Sequence, residues 1–305
     1  MKRKTFLQKT VSTSILLGAG SFPYQAFAEG CAQKITILHT NDQHSRIEPF
    51  AMDGGKYQGL GGFAQRAALI SKIRSEEKNV LLLDSGDIWQ GTPYFNKFNG
   101  ALEFKLMSEM KYDASTLGNH DFDAGLQGFA KQLPLANFSF LNCNYNFTDT
   151  VLEGKIKPYK IFKQGAIKVG VLGVGIELNG LVPTDLFGAV RYNEPIINTN
   201  KIAAILKKDE GCDLVICLSH LGYKYDNKKI SDVILAQSTR NVDIILGGHT
   251  HTFFDKPEEL RNADGAKVLI NQVGWAGIYL GRIDFYLAHN KSVFSLVDRP
   301  ILIKK

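Results

Sequence analysis

Residues 35–44, ITILHTNDQH, begin as an apolar, β-branched run and end in a cluster of polar side chains. A short run of this kind is typical of a buried strand that ends where the polar residues start. The same change from apolar to polar occurs at residues 80–87, 214–220 and 242–251, and a fifth polar cluster follows a short segment within 114–123. Ligands in layered α/β folds bind at the carboxyl ends of strands. We therefore expect the five clusters to converge on one pocket.

The rest of the chain alternates strand and helix patterns, which indicates a layered fold. Helical periodicity predicts helices at residues 62–76, 101–110 and 196–210. Apolar, β-rich runs predict strands at residues 34–40, 80–83, 138–141, 167–174, 214–219, 242–246, 268–272 and 280–287. Strands joined by helices imply α/β architecture, and the β-rich part from Asp243 onward predicts a second sheet packed on the first. We expect one domain over residues 34–303, a four-layer α/β/β/α sandwich, because no repeat or Pro-rich linker interrupts it.

Composition and charge exclude several classes of protein. The 305 residues are 44% hydrophobic and 22% charged, as in ordinary globular proteins and unlike disordered or fibrous chains. The net charge of +6 falls to +2 without the first 28 residues, which carry four Lys or Arg and no acidic residue. The sequence therefore gives no support for nucleic-acid binding. The cysteines have no CxxC spacing, and we expect buried free thiols, with Cys212 and Cys217 close together along one strand.

The N-terminal residues have the pattern of an export signal. Four basic residues precede the apolar stretch 11–20, and a small-x-small cleavage site follows at residues 26–28. We therefore predict a signal peptide over residues 1–28 and a periplasmic or secreted mature chain that starts at Glu29. A short amphipathic helix of the folded domain fits this segment less well. After it, no run reaches the roughly 18 apolar residues of a membrane helix.

The export route stays open. Residues 3–9, RKTFLQK, resemble a twin-arginine motif with Lys in place of the second Arg, so both twin-arginine export and the general secretory route remain possible. A lipoprotein site at Cys31 is less favoured, because the preceding residues Ala28-Glu29-Gly30 include an acidic residue and no Leu.

Seven side chains in the polar clusters have the chemistry of metal ligands. They are Asp42, His44, Asp87, Asn119, His220, His249 and His251. Carboxylates, imidazoles and an amide, without a thiolate, favour divalent ions such as Mn²⁺, Zn²⁺ or Fe²⁺. Seven donors exceed the four of one tetrahedral site, and an aspartate can bridge two ions about 3.5–4 Å apart. We therefore predict two divalent metal ions, with Asp87 as the bridge.

Other polar residues near the clusters have structural explanations. His39 is expected to be a packed histidine, or one that supports a ligand, and Asp84 to form a hydrogen bond that shapes its loop. Asp121 is expected to support the ligands. Arg66, Lys72 and Arg74 lie on a predicted helix, where a solvated basic face is the default and phosphate binding the minority interpretation.

The ordered set of motifs resembles the calcineurin-like metallophosphoesterases over essentially the whole mature chain. The motifs are Asp42-x-His44, Gly86-Asp87, Gly118-Asn119-His120-Asp121, His220 and Gly248-His249-x-His251. Residues 40–42 and 119–123 are most similar to the bacterial 5′-nucleotidase branch, as are residues 271–277, NQVGWAG. A single motif would carry little weight, but the ordered set is highly specific.

The resemblance implies a role for each matching residue. Asp42, His44, Asp87 and His251 would bind the first metal, and Asp87, Asn119, His220 and His249 the second. His120 matches the family's catalytic histidine, and Asp123 the carboxylate that orients it. The implied reaction is hydrolysis of a nucleotide-like phosphomonoester, in which hydroxide formed at the metals attacks phosphorus and His120 assists the leaving oxygen.

The resemblance also implies a second, C-terminal domain that binds the nucleoside, and the sequence ends before one. We therefore expect either a separately encoded partner domain or a domain that alone accepts small phosphoesters. Rival activities are a cyclic-nucleotide or UDP-sugar phosphodiesterase and, more distantly, a thiosulfate-ester hydrolase. A non-catalytic metal- or phosphate-binding subunit is the rival from another class, although His120 and Asp123 are both present.

Overall fold

The structure, a computed structural model, describes residues 31–288, 293–297 and 300–304, with side chains from Gln33 to Leu287 and from Pro300 to Lys304. The predicted signal peptide lies outside the described residues. Within them, no helix is long and apolar enough to cross a bilayer.

The described residues contain fifteen strands and seven α-helices. The strands are β1 (Cys31–Thr40), β2 (Val80–Asp84), β3 (Ala114–Ser115), β4 (Ser139–Phe140), β5 (Tyr145–Asn146), β6 (Tyr159–Gln164), β7 (Ile167–Gly175), β8 (Arg191–Tyr192), β9 (Leu214–His220), β10 (Ile244–Leu246), β11 (Glu258–Arg261), β12 (Lys267–Asn271), β13 (Tyr279–Ala288), β14 (Val293–Val297) and β15 (Ile301–Leu302). The helices are α1 (Phe63–Glu76), α2 (Pro93–Phe98), α3 (Ala101–Glu109), α4 (Gly125–Gln132), α5 (Thr184–Phe187), α6 (Pro195–Ala204) and α7 (Asp232–Ser238).

Two mixed sheets form the centre of the fold. The first has the order β14-β13-β1-β2-β3-β4, with β15 paired to β13, and the second has the order β11-β12-β10-β9-β7-β6. In the first sheet β1 to β4 are parallel, and in the second β7, β9, β10 and β12 are parallel. The carboxyl ends of each parallel set lie at one edge, where ligands usually bind.

Successive side chains along each strand point to opposite faces of the sheet, and the two faces belong to different hydrophobic cores. Ile35 and Ile37 pack between the sheets with residues such as Ile216, whereas Leu38 faces the helices over the first sheet. Cys217, the neighbour of Ile216, belongs to the core on the far side of the second sheet. This period of two is the pattern of strands buried on both faces.

Helices cover both outer faces and complete a four-layer α/β/β/α sandwich, which confirms the predicted fold class. Over the first sheet, α1, α3 and α4 enclose an aromatic core in which Trp89 stacks on Phe104 at 5.0 Å between ring centroids. Over the second sheet, Ile202 of α6 and Leu235 of α7 are buried against the strands. The helix predicted at 196–210 continues beyond Ala204 as a wider turn, Ile205–Asp209, with i→i+5 hydrogen bonds.

Two expectations, one about the chain after Asp243 and one about the cysteines, need correction. The part after Asp243 does not form a sheet of its own, since β10 to β12 join the second sheet and β13 to β15 join the first. Cys212 precedes β9 instead of lying on it, and Cys143 is only partly buried. Cys143, Cys212 and Cys217 are free thiols, as expected.

Candidate metal and phosphoester site

Six of the seven predicted ligands lie on loops that follow the strands, and His220 is the last residue of β9. Five of the seven have left-handed backbone conformations. The φ angles are 49° for Asp42, 48° for His44, 56° for Asp87, 71° for His249 and 52° for His251. Such angles are uncommon for residues with a Cβ atom and cluster at functional sites, where the surrounding structure holds them.

Two of these loops approach so closely that they need glycine. A Cβ atom on Gly86 would lie 2.5 Å from the backbone nitrogen of Gly118, and one on Gly118 would lie 2.1 Å from Oδ1 of Asp87. The loop after β2 and the loop after β3 are therefore in direct contact, which brings Asp87 beside Asn119.

Six of the predicted ligands form two groups of one aspartate and two histidines. We call Asp42, His44 and His251 the outer triad, and Asp87, His220 and His249 the inner triad. Within each group, potential ligand atoms lie within 4.8 Å of one another. The seventh, Asn119, adjoins the inner triad, since its Oδ1 is 2.8 Å from Nδ1 of His249.

Asp87 lies between the two triads. Its Oδ2 is 3.1 Å from Nε2 of His220 and 3.9 Å from Nε2 of His44. Asp42 has a similar position, because its Oδ1 is 3.3 Å from Nε2 of His251 and 3.9 Å from Nε2 of His220. All seven predicted ligands are therefore brought into one cluster.

The cluster has the donor chemistry of a cation site. Nδ1 of His220 is 2.6 Å from the carbonyl oxygen of Ser85 and must donate to it, because a carbonyl can only accept. In a neutral ring, Nε2 would turn a lone pair toward Oδ2 of Asp87, which is 3.1 Å away, so this position calls for a positive charge, either a proton on Nε2 or a metal ion. A lone pair against a carboxylate is unfavourable unless a positive charge lies between them. The residues present therefore fit divalent metal ions.

The electrostatics of the cluster agree with this geometry. Burial disfavours a charge on His220, but the carboxylates of Asp87 and Asp42 and the Ser85 carbonyl outweigh it and raise the pKa of His220 to about 10. Burial and the nearby His220 lower the pKa of His249 to about 4. Burial also lowers the pKa of His44. The site thus attracts a positive charge near His220 and keeps the imidazoles of His249 and His44 neutral. Neutral imidazole is the form that binds metals.

His120 and Asp123 lie beside the cluster without joining either triad. Nδ1 of His120 is 2.9 Å from Oδ2 of Asp123, and this hydrogen bond raises the pKa of His120. The backbone nitrogen of His120 donates to Oδ1 of Asp87 at 2.8 Å. The His120 side chain is 37% exposed and its ring is 5.4 Å from that of His44, so it lies at the opening of the site.

The neighbouring acidic residues shape the loops, as the sequence indicates. Asp84 is fully buried and accepts hydrogen bonds from Thr40, Gln43, Ser115 and the backbone of Gly86. Asp121 accepts from the backbone nitrogens of Asp87, Ile88 and Gly118. His39 is fully buried, with Nε2 2.9 Å from the Asn271 amide.

The expectation of a solvated basic face at Arg66 is wrong. Arg66 is fully buried, and its guanidinium donates to Oε1 of Gln43 and lies over the Phe63 ring. Nε2 of Gln43 in turn donates to Oδ2 of Asp84 at 2.7 Å. Arg66 therefore supports the segment between Asp42 and His44. Lys72 is exposed, as expected.

Sequence reasoning also missed two supporting residues. Nδ2 of Asn41 donates to Oδ2 of Asp42 and to the carbonyl of Gly274, both at 2.6 Å. Asp232 accepts from the Ser219 hydroxyl, next to His220, and from the Gln272 amide. Asn41 lies within a recognised motif and could have been found. Ser231 as N-cap and Asp232 in the first turn indicate the start of a helix, but they do not indicate a contact with the site.

Comparison with known proteins identifies relatives with these features. A family model described as calcineurin-like phosphoesterase matches residues 35–253. The chain is 34% identical over 295 residues to a snake venom 5′-nucleotidase from Crotalus adamanteus, an alignment that covers 89% of this chain and 48% of the relative. It is 32% identical over 332 residues to a 5′-nucleotidase from Vibrio vulnificus, covering 100% of this chain and 59% of the relative.

A solved structure shows the same fold. The 5′-nucleotidase precursor from Thermus thermophilus aligns with a TM-score of 0.80 at 28% identity, covering 89% of this chain and 55% of that one. The chain thus spans about half the length of the relatives it matches. With the family model covering most of the described sandwich, the chain belongs to the calcineurin-like phosphoesterase family.

Proposed function

We propose that this protein is an exported, 5′-nucleotidase-like phosphoesterase that uses two divalent metal ions to hydrolyse nucleotide-like phosphomonoesters. The observation that carries the proposal is the position of Asp87 between two triads of identical composition, with His120 at the opening beside them. The names of the relatives support the nucleotidase assignment.

The residues divide naturally between two ions. Asp42, His44, Asp87 and His251 would hold one, and Asp87, Asn119, His220 and His249 the other, as Mn²⁺, Zn²⁺ or Fe²⁺. When bound, such ions lower the pKa of water and neutralise charge on a phosphoryl group. The His120 amide, which donates to Asp87, and the Asn41 amide, which donates to Asp42, fix the carboxylates that must hold them.

His120 is the group available for proton transfer. Because Asp123 occupies Nδ1, only Nε2 of His120 is free to donate a hydrogen bond or a proton to the leaving oxygen of the substrate. The raised pKa keeps more of the ring protonated at neutral pH than in an ordinary histidine. Asp123 holds the ring in one orientation and stabilises its charged form.

Residues 1–28 are proposed to direct export, and residues 34–303 to form the catalytic domain. Substrate would be recognised either by this domain alone or together with a separately encoded domain of the kind that binds nucleosides in 5′-nucleotidases. A cyclic-nucleotide or UDP-sugar phosphodiesterase remains the alternative, because the same set of donors can hold a phosphodiester.

The test is phosphate release by the mature chain from AMP, 2′,3′-cyclic AMP, UDP-glucose and p-nitrophenyl phosphate, with added Mn²⁺ and matched EDTA controls. We expect metal-dependent release from AMP, and a His120→Ala variant with kcat lower by roughly 10²- to 10⁴-fold but unchanged Mn²⁺ binding. Asp123→Asn serves as the graded control, and its kcat should lie between those of the wild type and His120→Ala.

Hydrolysis of the diesters alone would favour the phosphodiesterase. If the metal-loaded protein hydrolysed none of the substrates, the result would point to a missing partner domain or to a binding protein. Near-normal turnover by His120→Ala would contradict the role given to His120.

A further inference from the structure

An aromatic surface begins directly behind the outer triad. The ring of His251 stacks on that of Trp275, with centroids 5.6 Å apart and an interplanar angle of 5°. The ring of Tyr57 meets Trp275 edge to face at 6.3 Å. The aromatic residues are therefore continuous with the site, and only one indole separates Tyr57 from a predicted metal ligand.

This surface leads into an open cavity of about 490 Å³, lined mainly by Tyr57, Leu60, Phe253, Ile278 and Tyr279, with the charged residues Lys56 and Asp255 at its side. The volume falls within the range of small-molecule pockets, which are mostly apolar with few polar groups. Tyr57 and Phe253 stack at 6.2 Å with an interplanar angle of 22°, so two nearly parallel rings form one wall.

The position of Phe253 is fixed by the backbone, although its side chain is 41% exposed. Phe253 follows His251 by two residues and pairs with Val273 in an isolated antiparallel bridge. A Cβ atom on Gly274 would lie 2.0 Å from the Phe253 ring, so the ring rests flat against the glycine backbone. An exposed ring held this firmly is suited to a stacking contact, since little conformational entropy is lost on binding.

We propose that Tyr57 and Phe253 form a stacking subsite for a planar aromatic group, of the nucleobase class, carried by a phosphoester whose phosphate lies at the two triads. This inference rests on the proposed function, and it places nucleobase recognition within the catalytic domain. Stacking of a base on an aromatic side chain tolerates different bases, because each has a π face. The Lys56 ammonium, 5.0 Å from the Tyr57 ring centroid, places a positive charge beside the wall, and Asp255 places a negative charge at the same cavity. The two charges offset each other, so the aromatic rings carry the proposal.

The first test compares an aromatic with an aliphatic substrate. Tyr57→Leu and Phe253→Leu should each lower kcat/KM for AMP by about tenfold and change kcat/KM for β-glycerophosphate by less than about twofold, because only AMP offers a base to stack. Phe98→Leu is the matched control, since Phe98 is also an exposed ring, 37% accessible, stacked on Tyr94 at 6.4 Å. Phe98→Leu should leave kcat/KM unchanged for both AMP and β-glycerophosphate.

A second readout does not depend on turnover. Saturation-transfer NMR with adenosine, which carries no phosphate, should show contact of the adenine ring with the wild-type chain, and Tyr57→Leu should reduce this signal several-fold. If the wild-type chain hydrolysed neither substrate, as expected of a binding protein or of a chain that needs a partner domain, adenosine binding alone would decide the subsite.

The inference is overturned if the Tyr57 and Phe253 variants keep the wild-type ratio of AMP to β-glycerophosphate hydrolysis. It is equally overturned if adenosine gives no signal that depends on Tyr57. Either result would leave the aromatic wall as a surface covered by another protein domain or simply open to solvent.

Discussion

His220 of the inner triad and His251 of the outer triad are predicted ligands of the same type, yet they are held in different ways. His220 is fully buried, and its Nδ1 donates to the Ser85 carbonyl at 2.6 Å. The His251 side chain is 38% exposed, and its ring is held by stacking on Trp275. A hydrogen bond from the second ring nitrogen fixes both tautomer and orientation of a metal-binding histidine, whereas stacking fixes only the plane. The inner triad is therefore expected to bind its ion more tightly.

The largest effects should come from removing these two histidines. We expect His220→Ala to weaken Mn²⁺ binding by more than about 100-fold. Removing a residue that orients a metal ligand weakens binding by roughly 10- to 100-fold, and removing the ligand itself should have a larger effect. His251→Ala should weaken binding by only about tenfold, because the inner triad stays intact. Isothermal titration of the purified variants with Mn²⁺ measures both values.

His39→Ala is the matched control, because His39 is also fully buried but belongs to neither triad. It should lower stability and leave Mn²⁺ affinity unchanged. Equal losses of affinity in the His220 and His251 variants would show that the two triads do not differ as described.

A smaller effect is expected at the support beneath the outer triad. Arg66→Met removes the donor to Gln43, which lies between Asp42 and His44, and leaves a buried acceptor without a partner. We expect a loss of about 2–3 kcal/mol in the free energy of unfolding, measured by urea denaturation.

Lys72→Met, on the exposed face of α1, should change stability by no more than about 0.5 kcal/mol. A loss at Arg66 as small as that at Lys72 would mean that the buried guanidinium contributes no net stability.

The central strands and their polar ends could be predicted because strands buried on both faces are continuous apolar runs. The two edge strands of the second sheet, β6 and β11, could not. No side chain of either strand is fully buried, and charged residues such as Lys160 and Arg261 occupy exposed positions. Edge strands carry such charges to avoid further pairing, so they look like loops in the sequence.

The candidate ligands could be predicted because their types and order are unusual, but their support could not. Helical periodicity shows that Arg66 lies on a helix without showing that Gln43 and Phe63 enclose its guanidinium. The stack of Trp275 on His251 likewise joins two distant loops. Such contacts depend on how the layers assemble, which local patterns do not specify.

The most direct test of the proposed two-metal site is the number of metal ions that one chain binds. The purified protein, stripped with EDTA, dialysed and titrated with Mn²⁺, should bind two equivalents, with the tighter one weakened by more than about 100-fold in His220→Ala and the weaker one by about tenfold in His251→Ala. A single equivalent in the wild-type protein, lost in both variants together, would contradict a two-metal site bridged by Asp87.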